Sequence, residues 1–250
     1  MRHLAIVAAG IAVTVLLTGC GAGDAGQRPA PKSKSGTAVT PKSVGAFEVE
    51  AALKNADPAP YSAHITSESY LGSTLGLVMT GRMNLNGSAP TGKMTLKTSD
   101  SAPEGQAVNA ETILLENATY TRTLDDDGTA GEWQRAGLDS AGAGVADYGA
   151  YAQLLLDLGP KAQKGSEEMD GAPTYRLSGK LTQDHLRAVD RRLYDRMRST
   201  GTEEFDCDVW VNEVGRVVRF EQWMKASGSS AHNVVTLKNF SAPVPVSAPE

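Results

Sequence analysis

From Leu77 onward, apolar side chains recur at every second position, and the runs are separated by short polar turns. Leu77, Met79, Met83 and Leu85 alternate with Val78, Thr80, Arg82 and Asn84, and Gly81 keeps the register. A period of two puts alternate side chains on opposite faces of a strand. Asn86-Gly87 then supplies the residues of a tight hairpin turn. Met94 and Leu96 resume the pattern between Lys93, Thr95 and Lys97. A segment near 108–115 pairs through Glu116-Asn117 with 119–124, and the acidic turn Asp125-Asp126-Asp127-Gly128 leads to a strand at 132–135. Strands joined by turns this short run antiparallel, because a parallel neighbour needs a crossover of a dozen residues or more.

Three stretches break the alternation with a helical period. The first, at 43–56, carries Val44, Phe47, Ala51 and Leu53, with Pro58 as its stop. The second, at 147–158, carries Tyr148, Tyr151, Leu154, Leu155 and Leu158 and ends at Gly159-Pro160. The third is expected as one continuous helix over 182–199, capped by Thr182, striped by Leu186, Val189, Leu193 and Met197, and closed by Gly201. Strands are expected at 161–169 and 174–181, then at 204–212, 216–226 and 232–240. The fold class is therefore α+β, with an antiparallel sheet of about ten strands and three helices in one domain. One face of such a sheet must be covered by helices or closed on itself.

The chain begins with an address. Arg2 and His3 precede an uncharged run from Leu4 to Leu17, which ends in Leu17-Thr18-Gly19-Cys20. Fourteen apolar positions are too few for a bilayer span, which takes about 20, and they fit a secretory signal. The pattern resembles the lipobox of bacterial lipoproteins. The resemblance implies a signal peptide over 1–19 and acylation of Cys20 by a diacylglyceryl group, a palmitate-type anchor in the cell membrane. Two chains at one cysteine hold firmly where a single chain is marginal. Residues 20–42 lack Leu, Ile and aromatic side chains and read as a disordered tether. The folded domain is expected over 43–246, with 247–250 as a C-terminal tail.

Composition removes several functions. A net charge of −5 argues against nucleic acid as a partner. With Cys20 acylated, Cys207 has no partner for a disulfide. It alternates with Phe205 and Val209, as a buried residue does. His3, His64, His185 and His232 are scattered without the spacing of metal ligands. There is no nucleophile elbow, zinc-helix signature, phosphate-binding loop or dinucleotide fingerprint. No cofactor is expected, and no catalysis.

The hairpin Val209-Trp210-Val211-Asn212-Glu213-Val214-Gly215-Arg216-Val217-Val218-Arg219 resembles a signature of the LolA/LolB and LppX/LprG-like lipoprotein superfamily. The ending Val235-Thr236-Leu237-Lys238-Asn239-Phe240 is similar to that group's last strand. The resemblance implies a LolA-like half-barrel, a curved antiparallel sheet of ten to eleven strands wrapped around about three helices. It also implies an extracytoplasmic lipid-binding function, with a lipid or lipoglycan held between sheet and helices. The expected ligand-pocket residues are Met79, Met83, Leu85, Met94, Leu96, Phe220 and Met224, because methionine adapts to variable apolar surfaces. Tyr148, Tyr151 and Leu155 are the expected lid, with the Gly- and Ala-rich run 136–146 as its hinge. Helix 182–199 sets Arg187, Arg191, Arg192, Arg196 and Arg198 against Asp184, Asp190 and Asp195, either an anion-facing surface or a solvated face with i,i+4 pairs. A monomer on the outer face of the cytoplasmic membrane is expected. Two other functions stay open: a protein-binding module that adds a partner strand at a sheet edge, and an envelope hydrolase with an unrecognised site.

Overall fold

A computed structural model describes residues 47–99, 107–125, 127–136, 147–226 and 229–250. The expected signal peptide, Cys20, the expected tether, the start of the expected first helix, Asp126 and the run 137–146 lie outside the described residues.

The chain opens with a short helix, α1 (Val49–Lys54), which buries Val49 and Ala52. Six strands follow: β1 (Tyr61–Leu71), β2 (Thr74–Leu85), β3 (Thr91–Thr98), β4 (Asn109–Leu115), β5 (Ala118–Thr123) and β6 (Gln134–Ala136). Helix α2 (Tyr148–Asp157) leads through a 3-10 turn at Pro160–Ala162 into β7 (Gln163–Met169) and β8 (Ala172–Thr182). Then come α3 (Gln183–Leu186), α4 (Arg191–Thr200), β9 (Glu204–Asn212), β10 (Val217–Ala226) and β11 (Ser229–Ser241). All eleven strands form one curved, unclosed sheet in the order β6-β5-β4-β3-β2-β1-β11-β10-β9-β8-β7. Every pairing is antiparallel. This is the half-barrel that the hairpin pattern implied.

Three differences from the sequence reading stand out. The alternation at Leu77 is not the first strand: β1 precedes it and sits at the centre of the sheet, paired with both β2 and β11. Its inner face runs Ala63, Ile65, Ser67 and Ser69, too polar at one end to register as a hydrophobic period. The expected helix 182–199 is two helices. Asp190 takes φ −139° and ψ 83°, and its side chain accepts a hydrogen bond from Leu193 N, which starts a new helix. An aspartate within a helical run competes for backbone donors in this way. The short strand expected at 132–135 starts two residues later, at Gln134.

The core lies on the concave face. Directly paired residues share a face, so one row can be followed across the sheet: Leu177, Val209, Phe220, Val235, Ser67, Met79, Leu96 and Ala110. The helices cover the β8–β10 side of this face. Gly215, at φ +78°, makes the β9–β10 turn and sits under α1, where a Cβ would lie 2.2 Å from the Ala52 carbonyl oxygen. The C-terminal tail is fastened by Asn84, which accepts from Val244 N at 2.9 Å and donates to Val244 O at 2.8 Å. Among the described residues no helix is long and apolar enough to cross a membrane.

Candidate functional site

The alternation in β2 and β3 brings Met83, Leu85, Met94 and Leu96 to the inner face, and that in β10 adds Phe220 and Met224. All six are buried. Met79 is partly buried and packs against them, so the seven expected pocket residues belong to one apolar cluster. They lie on the concave apolar face of the sheet, whose β8–β10 side α2 covers.

Helix α2 begins at Asp147, whose Oδ1 accepts from Ala150 N at 3.0 Å. The inward turn places Tyr148 and Tyr151 on Phe220, at ring-centroid distances of 5.3 and 5.1 Å. Leu155 is fully buried. The helix comes this close because β8 offers Gly179 beneath it: a Cβ there would meet Leu158 at 2.7 Å and Leu155 at 3.2 Å. The Tyr151 hydroxyl donates to Asp190 Oδ2 at 2.9 Å, while Oδ1 of the same carboxylate accepts from Leu193 N. One carboxylate therefore caps α4 and latches α2. Burial, then the negative charge of Asp190, pushes the Tyr151 phenol far above its ordinary range, so it stays a donor.

Two clefts open beside the β9–β10 turn. The smaller, about 230 Å3, is bounded by Tyr61, Leu85, Tyr148 and Val217, with Asp57, Asp147 and Arg216 at its mouth. The larger, about 570 Å3, lies between α1 and the β9–β10 turn and is lined by Phe47, Glu48, Asp57, Glu213 and Arg216 among others. Arg216 belongs to both. Its guanidinium stacks on Tyr61 and Phe240, at 4.8 and 5.4 Å from the ring centroids. Of the expected site residues, only Leu85 and Tyr148 reach these clefts; Tyr151 and Leu155 are buried behind them. Sequence reasoning missed Arg216, which lies within the signature hairpin but meets its aromatic partners only across the sheet.

It also missed two polar points on the concave face. Gln222 alternates with Phe220 and Met224 and pairs with buried Cys207, so it faces inward. Thr119 pairs with buried Leu114 on the opposite wing. Both are buried, and neither Gln222 Nε2 nor Thr119 Oγ1 has a hydrogen-bond partner among the described residues.

The remaining groups are engaged elsewhere. Arg187, Arg191 and Arg198 surround Tyr194 at 5.7, 5.1 and 5.8 Å from its ring centroid, and Arg191 pairs with Asp195 at 3.0 Å. The hydrogen bond from Arg187 pulls the Tyr194 phenol below its ordinary range. Cys207 is fully buried, and that burial pushes its thiol well above the usual value. On the outer face, Trp223 stacks on His232 at 4.6 Å, and His232 Nε2 lies 3.1 Å from Glu221 Oε2. Among the described residues no cluster of His, Cys, Asp and Glu could hold a metal ion. Edge strand β7 is bulged at Gly165 and carries Lys164, Glu167 and Glu168. Bulges and charges on an edge oppose strand addition.

Residues 78–246 match the model of the LppX_LprAFG lipoprotein family. Among solved structures, the chain is similar to LprF from Mycobacterium bovis, with 17% identity over 82% of this chain and 99% of that one and a TM-score of 0.48. It is similar to the Mycobacterium tuberculosis lipoprotein LppX at 14% identity over 80% of this chain and 98% of that one, with a TM-score of 0.46. A LolA superfamily protein from Nitrosomonas europaea follows at 9% identity over 80% of this chain and 96% of that one, with a TM-score of 0.29. No curated protein matches the chain. With more than half of its residues matched by that family model, the chain belongs to the LppX_LprAFG lipoprotein family.

Proposed function

We propose that this protein is held on the outer face of the cytoplasmic membrane by acylated Cys20, and that it binds or carries a lipid or acylated glycolipid without altering it chemically. The observation that carries the reading is the apolar concave face of the sheet, a trough that α2 covers on its β8–β10 side. Met79, Met83, Met94, Phe220 and Met224 line it, while α2 sits on Phe220 through the rings of Tyr148 and Tyr151 and is latched to Asp190 by a hydrogen bond. Acyl chains that replace α2 against the sheet leave water, at about 25 cal/mol per Å2 buried. Tyr148, which touches both Phe220 and the smaller cleft, stands where a chain enters. The headgroup stays at the rim. There Glu48, Asp57, Asp147 and Glu213 surround Arg216, a mixture that suits sugar hydroxyls, which both donate and accept, better than a bare phosphate. The tether expected over 20–42 would, as a random coil, span about 25 Å, enough for the rim to reach the bilayer surface.

Native mass spectrometry of the protein extracted from its own membrane tests the reading. A co-purifying acyl lipid is the expected result. Repeated extraction of lipid-free protein with an intact fold would overturn it. Labelled palmitate should mark the wild type and not a Cys20→Ala variant; equal labelling of both would remove the anchor from the proposal.

A further inference from the structure

Three described side chains bury a polar atom without a hydrogen-bond partner among the described residues: Thr119, Arg176 and Gln222. Arg176 pairs in register with Trp210 on the outer face and uses its Nη2 on Asp208. The other two face the trough. Gln222 presents the sharper case. Its residue is 7% exposed, and an amide nitrogen has two donors and no acceptor lone pair. Its inner-face neighbours along the strand are Phe220 and Met224, and the residue opposite is Cys207. Burying an amide donor unpaired costs about 1–3 kcal/mol, a cost that methionine, of similar length and fully apolar, avoids. In a trough already rich in methionine, an amide at this position works against the stability of the empty fold.

We infer that Gln222 reads the ligand: its Nε2 donates to an acceptor oxygen of the bound lipid, and the class selected is ester-linked acyl chains over ether-linked chains. The inference rests on the carrier reading above and adds the chemistry of the ligand to it. The polar row continues from Gln222 to Asn233 on β11 and Ser69 on β1, so the acceptor meets a strip of polar groups in an otherwise apolar wall. The same row reaches Gly179 through Cys207, where Leu155 and Leu158 of the α2 region press on the sheet. Displacement of α2 that admits a chain therefore uncovers Gln222. An ester carbonyl projects from the chain and accepts two hydrogen bonds, whereas an ether oxygen lies within the chain, where the flanking methylenes keep it from a donor fixed on the wall. On entry the carbonyl satisfies a donor that the empty trough leaves unpaired. Thr119, on the other wing, offers a second point for a hydroxyl or ester oxygen.

The test uses the purified full-length chain, stripped of lipid and titrated with 1,2-dioleoylglycerol and with its 1,2-dioleyl diether analogue, which lacks both carbonyl oxygens. Wild-type protein is expected to prefer the diester about tenfold, the factor that corresponds to one well-made buried hydrogen bond. Gln222→Met is expected to bind the two lipids within twofold of each other. Its ligand-free form should melt at or above the wild-type temperature, which also certifies the fold of the variant. Equal wild-type affinities, or a variant that keeps the preference, overturn this inference while leaving the carrier reading intact. If wild-type protein binds neither lipid, this inference is overturned, while the carrier reading is decided by the native mass spectrometry above.

Discussion

The joint between α2 and α4 is a single carboxylate, and its removal has a calculable effect. Asp190 Oδ1 caps α4 through Leu193 N, and Oδ2 accepts from the Tyr151 hydroxyl, buried at 1% exposure. Tyr151→Phe deletes the latch and keeps the ring on Phe220. A hydrogen bond to a charged group contributes about 1.5–3 kcal/mol, so the variant should lose about 2 kcal/mol in urea unfolding. Asp190→Ala removes the latch and the cap together and should lose about 1 kcal/mol more. The double variant should then match Asp190→Ala to within about 0.5 kcal/mol, because the phenol no longer has a partner to lose. In hydrogen exchange, weakening the latch by about 2 kcal/mol raises the opening equilibrium of α2 by a factor of about 30. A loss below about 0.5 kcal/mol for Tyr151→Phe, or additive losses in the double variant, would refute the assignment of Asp190 as the latch.

Three further outcomes are expected. Gly215→Ala combines a strained φ of +78° with a Cβ 2.2 Å from the Ala52 carbonyl oxygen, which cannot move without moving α1; a loss of about 3 kcal/mol in thermal or urea unfolding is expected, and a neutral result would mean that α1 does not rest on this turn. Glu221 is buried, which raises its pKa, yet the hydrogen bond with His232 and the charge of Arg219 outweigh burial and hold the carboxyl below its ordinary value. A depressed carboxyl stabilises the fold above the unfolded pKa of about 4.3 and loses that contribution as pH falls below it, so Glu221→Gln should flatten the fall in stability there, and an unchanged pH profile would contradict the pairing. The Cys207 thiol, buried and pushed to high pKa, should resist iodoacetamide in native protein and react on unfolding, as read by mass mapping of its peptide; prompt native labelling would contradict its burial.

The residues that carried the fold in the sequence were those whose neighbours along the chain are also their neighbours in space. Met83 and Met94 announced a hairpin because Asn86-Gly87 lies between them, and Tyr148, Tyr151 and Leu155 announced a helix by their spacing alone. β1 escaped notice because Ser67 and Ser69 stand on its inner face, where pairing with Val235 and Met79, rather than its own hydrophobicity, holds it in place. The break at Asp190 was also hidden. As one more anion in an arginine-rich stretch it reads as a surface residue, and only Tyr151, 39 positions away, gives the carboxylate its second role. An aspartate three residues before Leu193 was nevertheless a readable cap signal. Arg216 needed Phe240, and Gln222 needed Cys207, partners that are fixed by register and not by sequence distance.

The position of β1 also bears on how the chain reaches its native state. Ser62 pairs with Ser241, so the first strand and the last form the seam at the middle of the sheet. Each flank, β1 to β6 and β7 to β11, can zip from local hairpins, but the seam closes only after the last strand has arrived. Contacts of such sequence separation slow folding, and exposed strands invite aggregation in the interval. A chain exported from its N-terminus would emerge with one side of its central strand unpaired. It would hold that side open until β11 had crossed, more than 150 residues later, which makes that wait a period of exposure to misassembly.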